Sequence, residues 1–275
     1  MWNILKNECK RSLFNKWTII SMLIVTGFCA IQFYDCFNAR MMYFDIVKEL
    51  GQEKSVNICI TTAYENWILF ERSSMYKYIL IFIMPILTVL PYGTSYYSDL
   101  KSGYVKQMAT RISMKTYTRI KYCATFLSGG IAITLPLFIQ FLLTSTLYPL
   151  HKPYRFNGSL SGQYSFAVDL FYEYPMLYTM LRLLIVFVMA GLLATVALLV
   201  SKYIYNLFSV FITPFVISFM LQFIAVIIGE DKVSFSAVLP ADSAWDGAYS
   251  ILFVEILVLF VVTYFGFVGA KKEIY

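Results

Sequence analysis

Charge is scarce in this sequence. Lys, Arg, Asp and Glu make up 14% of its 275 residues, where a soluble domain carries roughly a quarter. A soluble chain so poor in charge could not cover its surface, so an ordinary soluble enzyme is excluded. Apolar residues reach 59%, and disorder, which needs low hydrophobicity and high charge, is excluded as well. There is one histidine, His151. Its isolation removes zinc-protease chemistry, which needs H-E-x-x-H, and leaves no base beside a serine nucleophile within a membrane. No G-x-x-x-x-G-K-[ST] phosphate loop occurs, so ATP hydrolysis by this chain is not expected. The five cysteines have no metal-ligand spacing. Neither catalysis nor a metal site is expected here.

What the sequence does contain is long charge-free runs. There are 18 such residues between Lys16 and Asp35, 21 between Lys77 and Asp99, and 29 between Lys121 and His151. A further 19 separate Arg182 from Lys202, and 27 separate Lys202 from Glu230. A membrane-spanning helix needs about 20 mostly apolar residues. The runs are continuously apolar rather than alternating, which selects helices over the strands of a barrel. A sixth segment, carrying only Glu255, completes the set. The expected spans are about 17–34, 78–97, 120–147, 177–200, 206–228 and 249–270.

Loop charge orients them. Thirteen basic residues fall in the N-terminal segment, the loop after the second span, the turn at Lys202 and the tail at Lys271 and Lys272. Glu8 and Asp99 are the acids interspersed in the first two of these segments. The opposite loops are acidic or mixed. Short Lys- and Arg-rich loops stay cytoplasmic, so the expected architecture is an all-α integral membrane protein with both termini in the cytoplasm. The net charge of +6 is accounted for by anionic lipid at that face, without nucleic acid. The localisation expected is a plasma membrane, multi-pass, of bacterial type.

Residues 1–16 read as an amphipathic helix in the membrane interface, with Trp2, Leu5, Cys9 and Leu13 on one face. No small-x-small site follows the first apolar run, so a cleaved signal is not expected. Residues 35–77 form the largest outer loop, long enough for a small folded cap with a helix around Met41–Leu50. The second outer loop, 148–175, reads as irregular. The third holds a short apolar piece, Val233 to Leu239.

Three groups of residues within this frame could carry function. Arg182 and Glu255 sit inside apolar spans at similar depth, and an intramembrane charge costs about 3 kcal/mol or more. The pair is therefore a substrate or proton site, or a structural ion pair, unless Arg182 reaches the interface. In the fifth span, Phe208, Phe211, Phe215, Phe219 and Phe223 fall within roughly 120° of arc at helical spacing, beside Pro214 and Gln222. Phe211, Phe215, Phe219 and Gln222 could wall a path for an amphipathic substrate; a lipid-facing stripe is the alternative. Cys36 and Cys59 share the first outer loop, either as free thiols or as a bridge worth about 3 kcal/mol in the chain-entropy treatment.

The stretch YSDLKSGYVKQMATRISMKTYTRIK, Tyr97 to Lys121, carries the most information. An acid, Asp99, and Lys101 follow the second span. Gly103 then permits a sharp turn into a short amphipathic piece with Tyr104, Val105 and Met108 on one side and basic residues to Arg111. This resembles the coupling segment of ATP-binding-cassette type-2 exporter permeases, as does the layout of an interfacial helix, six spans and cytoplasmic ends. The resemblance implies that residues 98–119 dock on a cytosolic ATPase subunit, with Asp99, Lys101, Gly103, Tyr104, Val105, Met108 and Arg111 in the contact. It also implies two such ATPase copies carrying ATP and magnesium, and a second permease copy or a similar chain. The substrate implied is amphipathic or hydrophobic, such as an antimicrobial or toxin peptide. The alternatives are an ATP-independent secondary transporter or channel, and a membrane sensor or immunity protein.

Overall fold

A computed structural model describes residues 2–50, 61–70, 75–154, 168–228 and 248–269. All regular structure among them is helical. The elements are α1 (Trp2–Leu13), α2 (Lys16–Leu50), α3 (Met75–Val89), α4 (Ser95–Lys101), α5 (Tyr104–Ala109), α6 (Met114–Leu147), α7 (Val168–Glu173), α8 (Pro175–Val200), α9 (Leu207–Ile228) and α10 (Ala248–Tyr264). The last runs into a π-helical turn, Phe265–Gly269. Five helical segments are long and apolar enough to cross a membrane: those of α2, α6, α8, α9 and α10 with its π turn. The architecture is that of an all-α membrane protein.

The second expected span is the exception. Instead of one helix over 78–97, α3 stops at Val89 after 15 residues, a rise of about 22 Å. Pro91 lacks a backbone donor, and the Gly93 amide closes the turn onto the Val89 carbonyl at 2.9 Å. A Cβ at Gly93 would sit 2.9 Å from Val89 Cγ1, so the turn is built for glycine. Helix α4 restarts at Ser95.

Helix α2 departs in the other direction. Its 35 residues rise about 52 Å, well past a hydrocarbon core of about 30 Å. The helix expected around Met41–Leu50 is thus the continuation of the first span, and residues 35–50 are not loop.

The axis of the bundle is the α6–α8 pair, which meets through small residues. A Cβ at Gly130 would lie 2.6 Å from the Phe187 ring, and one at Gly191 would lie 2.7 Å from the Phe126 ring. Each glycine receives the other helix's phenylalanine, and the two rings meet edge to face at 5.6 Å. Close approach over small residues is how helices associate in lipid, where hydrophobic burial alone provides no drive between them.

Residues 61–70, expected within the outer loop, are folded into the bundle. The Trp67 indole donates to the Leu137 carbonyl at 3.1 Å, and the Ala63 amide donates to the Pro149 carbonyl at 3.1 Å. Phe70 stacks on Phe171 of α7 at 5.0 Å. Trp67 and Ile68 are fully buried. This non-helical backbone is surrounded by protein, which supplies the partners for its polar groups. A Thr-x-x-Glu exchange orders the turn: the Thr62 amide donates to Glu65 Oε2 at 2.6 Å, and the Glu65 amide donates to Thr62 Oγ1 at 3.4 Å, the reciprocal pattern of a capping box. From the segment expected as the second outer loop, α7 places Phe171 in the same core. The apolar piece Val233 to Leu239 and the tail lysines lie outside the described residues.

Candidate functional site

At the basic end of the bundle, four elements converge on a buried ionic cluster. Glu8 and Arg11 come from α1, Tyr92 from the turn after α3, Asp99 from α4, and Tyr117 and Lys121 from α6. The spacings make this possible: Glu8 and Arg11 are one helical turn apart, as are Tyr117 and Lys121, so each pair shares a face.

Asp99 is at the centre and is 1% exposed. Its Oδ1 accepts from Arg11 Nη2 at 2.8 Å. Its Oδ2 accepts from the Tyr117 hydroxyl at 2.8 Å and from Lys121 Nζ at 2.5 Å. Lys121, fully buried, also donates to the Tyr92 hydroxyl at 3.0 Å, and Tyr92 donates to Glu8 Oε2. Glu8 lies 3.6 Å from both Lys121 Nζ and Arg11 Nη1. Two carboxylates therefore face two cations, and three tyrosines contribute: Tyr92 and Tyr117 by hydrogen bonds, Tyr104 by its ring beneath the Arg11 guanidinium at 5.1 Å. Such a site is stable only when all members are present, since truncating one member of a buried pair costs about 3–5 kcal/mol.

Outside the spans, burial works against the Arg11 charge, but the hydrogen bond and charge of Asp99 overcome it and hold the guanidinium above its ordinary value.

The segment below the cluster is a helical hairpin. Gly103 joins α4 to α5 with φ of +75°, the left-handed region expected of it. Its carbonyl accepts from the Lys106 and Gln107 amides at 3.1 and 3.3 Å. The orientation of α5 differs from the expected presentation of Tyr104, Val105 and Met108 to a partner. Val105 and Met108 are buried against Tyr96, Tyr117, Tyr122, Leu198 and Phe267. Tyr104 is half-buried, and Asp99 is wholly withdrawn into the cluster. An amphipathic helix of six residues turns its apolar side to the nearest core, and here that core is the chain's own. The exposed side includes Lys101, Lys106, Gln107 and Arg111.

The same base gathers the far end of the bundle. Tyr96 meets the Phe267 ring edge to face at 5.0 Å, and Lys202 Nζ donates to the Phe267 carbonyl at 3.0 Å. The Tyr122 and Thr263 hydroxyls lie 2.9 Å apart. The hairpin is thus in touch with the ends of α6, α8 and α10.

On helix α1 the expected Leu5, Cys9 and Leu13 stripe lies beside the protein-facing side, and the Trp2 side chain lies outside the described residues. Glu8 and Ser12 are buried, and Ile4 packs on the tyrosine core. The protein-facing side is therefore Ile4, Glu8 and Ser12, while Leu5, Cys9 and Leu13 are half-buried beside it.

The remaining candidate residues lie outside the ionic cluster. Arg182 is 1% exposed and donates from Nε and Nη2 to the Tyr178 hydroxyl at 3.3 and 3.1 Å. Glu255 is half-buried on α10, which packs against α8. On α9, Val210, Pro214 and Ser218 form the buried side. Phe215 and Phe219 lie against Phe82 of α3 at 5.2 and 6.4 Å, Phe211 packs on the Val89, Ala197 and Val210 cluster, and Gln222 borders a small recess with Phe82, Pro85 and Ser218. Phe208 and Phe223 are exposed. Cys36 is buried, with its sulfur 3.5 Å from the Asn66 carbonyl; Cys59 lies outside the described residues. Among the described residues no His, Cys, Asp and Glu group could hold a metal.

No protein-family model, curated protein or solved structure matches the chain.

Proposed function

We propose that the chain is the membrane subunit of an ATP-driven exporter of the ATP-binding-cassette type-2 kind. In this reading it has six crossings, α3 and its turn being the second, with both termini in the cytoplasm of a bacterial cell. Two copies, or this chain with a similar one, surround a path for an amphipathic or hydrophobic substrate such as a toxin peptide. A separate ATPase, in two copies, binds ATP and magnesium.

The observation that carries this reading is the α4–Gly103–α5 hairpin. It exposes Lys101, Lys106 and Arg111 on one side and is anchored on the other through Asp99 to α1 and α6. A force applied to its outer face reaches the spans through buried, charge-assisted bonds rather than a slack loop. Export of this kind needs a two-state membrane dimer and no catalytic side chain. Docking then runs through the basic face rather than an apolar knob, and the partner groove is acidic. The intramembrane charges, Arg182 and Glu255, serve as a structural pair, and Phe211, Phe215, Phe219 and Gln222 line the path.

The test is purification of the tagged chain from its own cells. An ATPase bearing a phosphate loop is expected to copurify, and Lys106→Glu with Arg111→Glu is expected to release it while leaving the melting temperature unchanged. An intact chain that brings down no ATPase overturns the proposal.

A further inference from the structure

Helix α2 outlasts its neighbour at the end of the bundle away from the ionic cluster. Helix α6 ends at Leu147, and the Tyr148 hydroxyl just after it donates to the Cys36 carbonyl at 2.9 Å. Residues 37–50 of α2 run on past that level for about 21 Å. A hydrocarbon core of about 30 Å takes up about 20 residues of helix. Counted from Lys16, the first residue of α2, that leaves this stretch outside the core.

A helix leaving the bilayer should turn polar, and this one does not. Tyr34, Phe37, Met41 and Phe44 are between 43% and 63% exposed. Their steps of three, four and three residues are the a and d register of a heptad. They lie on the side of α2 away from the buried Gln32 and Cys36. The register continues inward through Ala30, Gly27 and Leu23, all exposed, where lipid is an adequate cover. Lipid does not reach Met41 and Phe44, and an apolar stripe in water marks contact with protein. Lys48, at the next seam position, ends the stripe.

Charge indicates which protein. With Tyr34 and Met41 at a and Phe37 and Phe44 at d, Arg40 falls at g and Asp45 at e. In a parallel pair, a g residue faces the e residue five positions later on the other helix. Within one helix, residues five apart are not neighbours. Arg40 lies over the Phe44 ring at 4.7 Å, at the edge of the seam, and makes no ion pair among the described residues. The Asp45 side chain is 71% exposed, with Lys48 at 3.8 Å, a surface pair worth little. Two copies in one bilayer share direction and depth, so their α2 helices run parallel and in register. We infer that the outer part of α2, from Tyr34 to Phe44, pairs with the same stretch of a second copy as a parallel two-stranded coiled coil, flanked by two Arg40–Asp45 contacts related by the two-fold axis. The inference rests on the two-copy reading above and supplies the contact between the copies. That contact is centred outside the hydrocarbon core, which leaves the path within the core clear.

The test is disulfide cross-linking in membranes, in the full chain with its own cysteines replaced. Oxidation with copper phenanthroline should join Phe37→Cys or Met41→Cys chains into dimers at least fivefold more than Ala39→Cys or Met42→Cys chains, which are exposed beside the seam. Arg40→Asp should lower the Met41→Cys cross-link, and adding Asp45→Arg should restore it. Arg40 also lies over the Tyr148 ring, and loss of that contact would not be repaired at position 45, so restoration separates pairing from folding. Equal cross-linking at all four positions would mean random collision and overturns the inference. No dimer at the seam positions, or a product of another mass, overturns it too. So does undiminished cross-linking with Arg40→Asp, or failure of Asp45→Arg to restore it. Copurification of the ATPase is read from the same membranes: if it persists without a seam cross-link, only the α2 contact falls, and if both are missing the exporter reading falls as well.

Discussion

The carboxylate of Asp99 and the ammonium of Lys121, twenty-two positions apart in the chain, meet where neither is open to solvent. Asp99 belongs to the short hairpin and Lys121 to the longest stretch of the bundle axis. Their contact ties the hairpin directly to α6.

That contact sets the first prediction. Lys121→Met leaves two buried carboxylates facing one cation and should cost about 3–5 kcal/mol. Adding Asp99→Asn restores the balance, so the double variant should melt above the Lys121→Met protein. Thermal unfolding in detergent reads the cycle; additive losses would mean that the two groups do not couple.

At Gly103 the expected cost is conformational. A side chain there meets no atom within 4 Å, but left-handed backbone costs an ordinary residue about 1–2 kcal/mol. Gly103→Ala should lower the melting temperature, and Gly103→Asn should lower it less, because asparagine tolerates that region. Equal melting of all three proteins would contradict the assigned turn.

For Arg182 and Glu255 the expected outcome is a compensating pair. Arg182→Met and Glu255→Gln should each destabilise the chain more than the two together, since a lone intramembrane charge is costly. Independent effects would mean that the two charges do not couple.

The aromatic face of α9 has a transport readout. Phe215→Ala and Phe219→Ala should lower export while leaving copurification of the ATPase unchanged, whereas a packing role with Phe82 would lower protein yield instead.

Orientation is read at Ser102, which is exposed. In a chain whose native cysteines are replaced, Ser102→Cys should react with a membrane-impermeant maleimide in opened cells only. Labelling of intact cells would reverse the topology.

Membrane character and most helix positions were legible in the sequence because charge-free length is a strong one-dimensional signal. Gly103 was legible because its neighbours demand a turn. The ionic cluster was not, although each of the first two basic segments carried a clue: Glu8 and Asp99, the acids set among the cations there, are the two carboxylates that become buried. Counting charge by side treats them as noise, and pairing across eighty-odd residues has no local signature. The inward face of α5 was missed for a related reason. An apolar side on a short helix says that something covers it, and Val105 and Met108 were covered by the chain's own tyrosines. The 61–70 segment was missed because its Trp-Ile-Leu-Phe run is too short to register as a span, and only packing on Leu137 and Phe171 reveals its depth.

The reciprocal seating of Phe187 at Gly130 and Phe126 at Gly191 bears on which parts of the molecule can move. Two rings set in opposite glycine notches work like a key in each direction: sliding α6 along α8 drives a ring into backbone, and rotating either helix does the same. The axis therefore behaves as a single rigid strut. Among the described residues α9 and α10 have no reciprocal pair of this kind with α8, the one glycine seat being Leu199 against Gly266 in the turn after α10, and both helices are mostly exposed along their length, so rocking of these two against the strut is where the bundle has freedom to open.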